Sequence, residues 1–424
     1  MMEIASSNII DGTGRPPIAG RIRIAGQQIR DVSPGAGAGG SGDAVDLDGY
    51  TIIPGLIDAH SHLGSVIQPH GSPPPPIAVI AAEIFKNAER AVREGFTTVR
   101  EVAGLDGGLN EAAGRGLVLA PRVLPSGPMI SQTCGHGDWR PKYDHGPWGE
   151  RWPGLVQASV VVDGVTEAVK AARLALRDGA TQLKVSLSGG FSSDCDALTD
   201  IQFGEDELAA IVAVARSQGR YVTGHAHHSH AVQLGLRAGV ACFEHATFVD
   251  QETLMLIKQN DAAIVATLGV LRRLQDPAVR DGLREELREF ARSGFDSAAE
   301  MVRAAVAAGI LVGLGTDITG ADQHGRAREV AQRCSATDPL EAIAAATGKN
   351  AKVLRIADRT GTLTPGLLAD LVVLDGNPLT EPVLFEDPER VRLVMAAGQI
   401  RHDTLPAELS AQVRRACAPG TAAP

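Results

Sequence analysis

The stretch "GVTEAVKAARLALRDG" at residues 164–179, with "TQLKVSL" following at 181–187, carries the fold in miniature. In the first segment apolar residues return every three or four positions, the spacing of an amphipathic helix, and a glycine closes it. The second is a short apolar run holding one charged residue, Lys184. The same alternation fills the middle of the chain. "FTTVREV" (96–102), "PRVLPSG" (121–127), "RYVTGHA" (220–226), "VACFEHA" (240–246), "AIVATL" (263–268) and "ILVGLGTD" (310–317) read as strands. "GEDELAAIVAVARSQG" (204–219) and "SAAEMVRAAVAAG" (297–309) read as helices between them. With "GLIDAHSH" (55–62) as the first strand, this makes about eight strand–helix units, the count of an α/β (β/α)8 TIM-like barrel.

The ends of the chain read differently. "RIRIAG" (21–26) and "QQIRDVSP" (27–34) near the start, and "GTLTPGLLADLVVLDGNPL" (361–379) and "VRLVMAAGQIRH" (391–402) near the finish, are short strands broken by turn residues. The predicted organisation is a small β-sandwich domain from residues 1–53 and 358–405, a barrel from 54–357 between them, and a C-terminal tail, 406–424.

Composition narrows the function. The chain has 424 residues, 44% hydrophobic and 21% charged, values of a globular protein with a large core. Its formal net charge of -10, with no Lys/Arg-rich run, argues against a nucleic-acid partner. The five cysteines are scattered without a CxxC pair, which suits a reducing, cytoplasmic compartment. The N-terminus lacks the pattern of a secretion signal, and no apolar run approaches the ~20 residues of a membrane span. A Gly/Pro-rich loop at 134–154 holds Trp139, Trp148 and Trp152, all three tryptophans of the chain. Such a loop is expected to pack either over the barrel mouth or into a subunit contact, and a homo-oligomer is expected.

In a barrel of this kind the chemistry lies where the strands end. The polar residues there are His60 with His62, Glu101, Lys184, His225 with His227, His245 and Asp317. His60 and His62 are two apart on an extended strand and face the same side, as do His225 and His227. One histidine at a strand end is commonly structural. Five and an aspartate at one end of a barrel point to divalent metal, with nitrogen and carboxylate donors suited to zinc. Two ions call for a bridging anion. Lys184 sits where a bridge would lie; a buried lysine beside two dications is driven to the neutral amine, which can take up carbon dioxide as a carbamate. The ordinary alternative is a buried lysine paired to an acid. Glu101 is expected to orient a ligand histidine from behind.

Taken together, "IIPGLIDAHSHL", "GFTTVREV", "LKVSLSGG", "GHAHHSHAVQLGLRAGVACFEHA", "LGTD" and "GTLTPGLLADLVVLDGNPL" resemble the metal-dependent amidohydrolase superfamily. The nearest branch is the imidazolonepropionase-like and prolidase-like one, which includes Xaa-Pro dipeptidases, carboxypeptidases and ochratoxin-hydrolysing enzymes. The resemblance implies His60, His62 and Asp317 on a buried metal, His225 and His245 on a more exposed one, and a carboxylated Lys184 between them. "SQTCGHGDW" (131–139) is similar to the branch's TGGHGD motif, with Cys134 where glycine is usual. It implies that His136 donates a hydrogen bond to the substrate carbonyl. Many members of the branch carry tyrosine at the position of His227, where it contacts the substrate carboxylate, so His227 is expected to read the substrate.

The implied reaction is hydrolysis of an N-acyl- or peptidyl-amino acid by a hydroxide shared between two metals, with Asp317 as general base and then acid. The substrate would be a small molecule with a free carboxylate. The alternative is another hydrolysis on the same site: a deaminase or lactonase. His324, after the Asp317 strand, is expected to line the pocket. His70 and His145 read as solvated loop residues, and His228 and His230 as bystanders at a helix start.

Overall fold

The structure is a computed structural model that describes residues 1–35, 44–66, 75–144, 155–190, 193, 195–283 and 285–417. Contacts divide the chain into one unit of residues 1–58, 89–98 and 324–424 and another of 59–88 and 99–323.

Both ends of the chain contribute to the first unit. Its strands form an eight-stranded sheet, ordered Gln399–Asp403, Val391–Ala396, Leu371–Asp375, Tyr50–Pro54, Met2–Ile9, Ile18–Ala25 and Gln28–Pro34, with Val45–Asp46 paired to Met2–Ile9. Hydrogen bonding joins the strands of both chain ends into one path. Alternation explains the burial: Ile22 and Ile24 go into a core with Ile4, Ile29, Leu371, Val373 and Leu393, while Arg21 and Arg23 reach outward to Glu3. The segment read as a tail contains a helix, Ala407–Cys417, whose Val413 is buried in the same core.

The second unit holds a seven-stranded parallel sheet. Its order is Ser159–Val161, Met129–Ser131, Leu183–Ser186, Val222–His228, Cys242–Phe248, Ala263–Ala266 and Val312–Leu314. A three-stranded sheet contains Leu56–Ser61, Phe96–Glu101 and Arg122–Pro125. Helices lie between strands as the periodicity predicts. Helix Val165–Arg177 buries Ala168, Ala171, Ala172, Ala175 and Leu176, one stripe of small side chains that lets its backbone come close to the sheet. Strand Leu183–Ser186 is buried along its whole length, the pattern of a parallel strand covered on both faces. Parallel pairing sets the register of the site: Lys184 lies opposite Thr223, Ser186 opposite His225, and His225 opposite Glu244.

Candidate active site

The predicted strand-end residues come together. His60 and His62 lie at the end of Leu56–Ser61 and just beyond it, with their Nε2 atoms 3.1 Å apart. Asp317 Oδ1 is 3.0 Å from His62 Nε2 and 3.4 Å from His60 Nε2. The Asp317 backbone N–H donates to the His60 carbonyl at 2.9 Å, and a Cβ on Gly315 would run into His60, so "GTD" needs its glycine. A second group lies beside the first. His225 Nδ1 and His245 Nε2 are 3.0 Å apart, and the His60 and His245 rings are 4.9 Å apart. His60, His245 and Asp317 offer donor atoms all within 4.8 Å of one another, as do His225, His227 and His245.

Four of the five clustered rings are held from behind by an oxygen, whereas His62 Nδ1 has no hydrogen-bond partner among the described residues. His60 Nδ1 meets Glu244 Oε2 at 2.7 Å, and His225 Nε2 meets the Gly189 carbonyl at 3.2 Å. His227 Nδ1 meets Thr247 Oγ1 at 2.9 Å, and His245 Nδ1 meets Thr267 Oγ1 at 2.8 Å. Metal-ligating histidines characteristically donate their second ring N–H in this way, which sets the tautomer and the ring orientation. Backbone strain collects at the same place: His245, Ala246 and Asp317 have φ of +69°, +52° and +54°. Such conformations are held only where the surroundings over-determine them, typically at functional sites.

Electrostatics favour the protonation states that a cation requires at most of these groups. His60 is the exception: burial and Lys184 work to lower it, but Asp317 and Glu244 raise it above the usual histidine range. Burial, reinforced by the other imidazoles, puts His225 and His245 well below the usual histidine range, so both rings are neutral. Burial also carries His136 and His227 down to about 3. Burial works to raise the Asp317 carboxyl, but His60, His62 and His245 outweigh it and hold Asp317 well below the usual carboxylate range. Lys184 is 2% exposed, and burial brings its ammonium down to about 8. Its Nζ has no hydrogen-bond partner among the described residues. Neutral imidazoles at His225 and His245, an ionised carboxylate and a buried amine without a hydrogen-bond partner among the described residues together fit divalent metal with an anionic bridge built on the amine.

The orienting carboxylate is Glu244, not Glu101. Glu101 accepts backbone N–H groups from Gly64, Ala103 and Leu105 at 3.2–3.4 Å. Burial raises it to about 8, partly offset by those donors. Glu244 alternates with its neighbour His245 along Cys242–Phe248 and reaches His60 instead. It is fully buried, ion-paired to Arg100 Nη2 at 2.6 Å, and also bonded by Thr223 Oγ1. Burial would raise its carboxyl, but Arg100, Lys184 and His60 hold it well below the usual range. Arg100 and Glu244 are charged residues inside apolar runs, and that anomaly is the signal in the sequence that could have found them.

His136 stacks on His225 with centroids 4.1 Å apart, and its Nδ1 lies 4.0 Å from Asp196 Oδ2. A Cβ on Gly190 would collide with the His136 ring. Cys134, standing where glycine is usual, adopts a left-handed φ of +59°, and its N–H donates to Asp138 Oδ2 at 2.9 Å. The turn that favours glycine is thus kept by cysteine, at a conformational cost of about 1–2 kcal/mol. His228 is half-buried, stacks on Phe248 and is not among the clustered donors, and His230 is exposed. His324 is exposed and belongs to the unit built from both chain ends. In the 134–154 loop Trp139 is half-buried. His70, His145, Trp148 and Trp152 lie outside the described residues.

Residues 51–401 match the amidohydrolase family, and the chain belongs to that family. It is 31% identical to ochratoxinase from Aspergillus niger over 362 residues, covering 82% of this chain and 75% of that one. The crystal structure of that ochratoxinase superposes with a TM-score of 0.83, covering 96% of this chain and 97% of the other. A prolidase complexed with N-methylphosphonate-L-proline is 31% identical, with a TM-score of 0.86 over 94% of this chain and 99% of the other. A Xaa-Pro dipeptidase with bound methionine is 28% identical, with a TM-score of 0.81 over 94% and 99%. The protein is a hydrolase of amide or peptide carbon–nitrogen bonds. No helix among the described residues is long and apolar enough to cross a membrane.

Proposed function

We propose that this chain is a binuclear metal-dependent hydrolase that releases an amino acid from an N-acyl- or peptidyl-amino acid. The observation that carries the reading is the meeting of His60, His62, His225, His245 and Asp317 in one cluster, with Lys184 buried on the strand paired to that of His225. Similarity to a prolidase and to an ochratoxinase supports an amide substrate ending in a free carboxylate. His60, His62 and Asp317 would hold one ion and His225 and His245 the other, with Lys184 joining them as its carbamate and zinc suiting the donor set. When bound, such ions lower the pKa of water and polarise a carbonyl.

The rest is done by the chain. Asp317, ionised and already within reach of two imidazoles, takes the proton of the attacking water and returns it to the leaving nitrogen. His136, neutral and wedged between His225 and Gly190, presents a ring N–H to the acyl oxygen as negative charge develops there. The Arg100–Glu244 pair holds His60 in place and touches no substrate.

The test is a turnover screen of the zinc-loaded enzyme. Xaa-Pro dipeptides, N-acyl-amino acids and ochratoxin A should be cleaved at the amide, each releasing a free amino acid. Turnover confined to lactones or cyclic amidines would overturn the reading.

A further inference from the structure

The geometry points to His227 as a third imidazole donor to the ion held by His225 and His245, and so to a metal ligand in place of a reader of the substrate carboxylate. The inference rests on the metal-hydrolase reading above. His225 and His227 are two apart on the Val222–His228 strand and so share a side, and both are buried. The His227 ring stacks on His245 at 4.9 Å between centroids and meets His225 edge-on at 4.7 Å. One nitrogen from each of the three rings can be chosen so that all lie within 4.8 Å of one another.

The strongest support is how the ring is held. Thr247 Oγ1, on the next strand, engages His227 Nδ1 at 2.9 Å, just as Thr267 Oγ1, after the strand beyond that, engages His245 Nδ1 at 2.8 Å. The two threonines do the same thing one strand apart: each engages Nδ1, so that Nε2 is the nitrogen a ligand role would use. Phe290 packs edge-on against the His227 ring at 5.3 Å, which restricts its rotation. A residue meant to contact a variable substrate gains little from an outer partner matched to that of a ligand. A ligand depends on it: loss of such partners typically costs about 10–100-fold in metal affinity.

The experiment uses metal-free full-length protein titrated with cobalt(II), following visible absorption and bound metal per chain. Wild type should take up two equivalents. His227→Phe should bind one of the two at least ~10–100-fold more weakly, with a changed absorption band for that site. Thr247→Val should shift the same site in the same direction by a smaller factor. Unchanged stoichiometry, affinity and spectrum in folded His227→Phe would overturn the inference and leave the hydrolase reading standing. Failure of the wild type to bind cobalt or zinc would overturn the hydrolase reading itself. Should His227→Phe not fold, Thr247→Val decides: an affinity and spectrum equal to wild type overturn the inference.

Discussion

The two halves of the site are built on opposite electrostatic plans. On one side His60 and His62 face an ionised carboxylate, Asp317, and a second carboxylate, Glu244, stands behind His60 with Arg100 to balance it. On the other side His225, His227 and His245 are neutral rings held by a carbonyl and two hydroxyls. The first half offers negative charge to a cation and needs a buried guanidinium to keep that charge folded. The second offers lone pairs and needs only uncharged partners. Two buried glutamates make the same point: Glu244, beside Arg100, is held ionised, whereas Glu101, supported only by backbone N–H groups, is pushed up to about 8. A buried carboxyl takes its state from the charge beside it.

The contrast can be broken in graded steps. The largest effect is expected from Asp317→Ala, which removes the anion of the charged half and its proposed proton carrier. Turnover should fall by about 10²–10⁴-fold or more while thermal unfolding stays cooperative. Retention of substantial activity would remove Asp317 from the chemistry. Lys184→Ala should abolish activity and reduce bound metal, and short carboxylic acids should restore part of the rate by standing in for the carbamate. If metal content and rate are both unaltered, no carbamate joins the two halves.

Arg100→Met tests whether the charged half depends on its counter-ion. It leaves Glu244 buried without its guanidinium, and denaturant titration should show a loss of about 3–5 kcal/mol. Adding Glu244→Gln to the same chain should recover much of that loss, whereas additive losses would mean that the two side chains act independently.

The smallest effect expected is a pH dependence from Glu101. Its folded value, about 8, lies above the ordinary carboxylate value of 4.5, so folding takes up a proton between those two points. The stabilisation it contributes is full below the ordinary value and is lost as pH rises through about 8. Stability of the metal-free protein should therefore decline between about pH 4.5 and 8 and level off above that, and Glu101→Gln should flatten the decline. Equal slopes in the two proteins would show that Glu101 does not hold its proton.

The sequence by itself determined the strand–helix alternation and the set of polar residues that end the apolar runs. Both follow from local rules: the period of a helix, the alternation of a strand, and the preference of parallel sheets for buried strands. His60, His62, Lys184, His225, His245 and Asp317 were legible for that reason. Tertiary structure alone decided what stands behind them. Glu101 and Glu244 have equal claims in the sequence to orient a ligand, and only the fold brings Glu244 to His60, 184 positions away, and to Arg100, 144 away. The roles of Thr247 and Thr267 were hidden in the same way, because each bonds a histidine 20 or 22 residues earlier on a neighbouring strand. Periodicity tells which face a side chain takes, but the charge it meets there is set by strands that the register brings alongside.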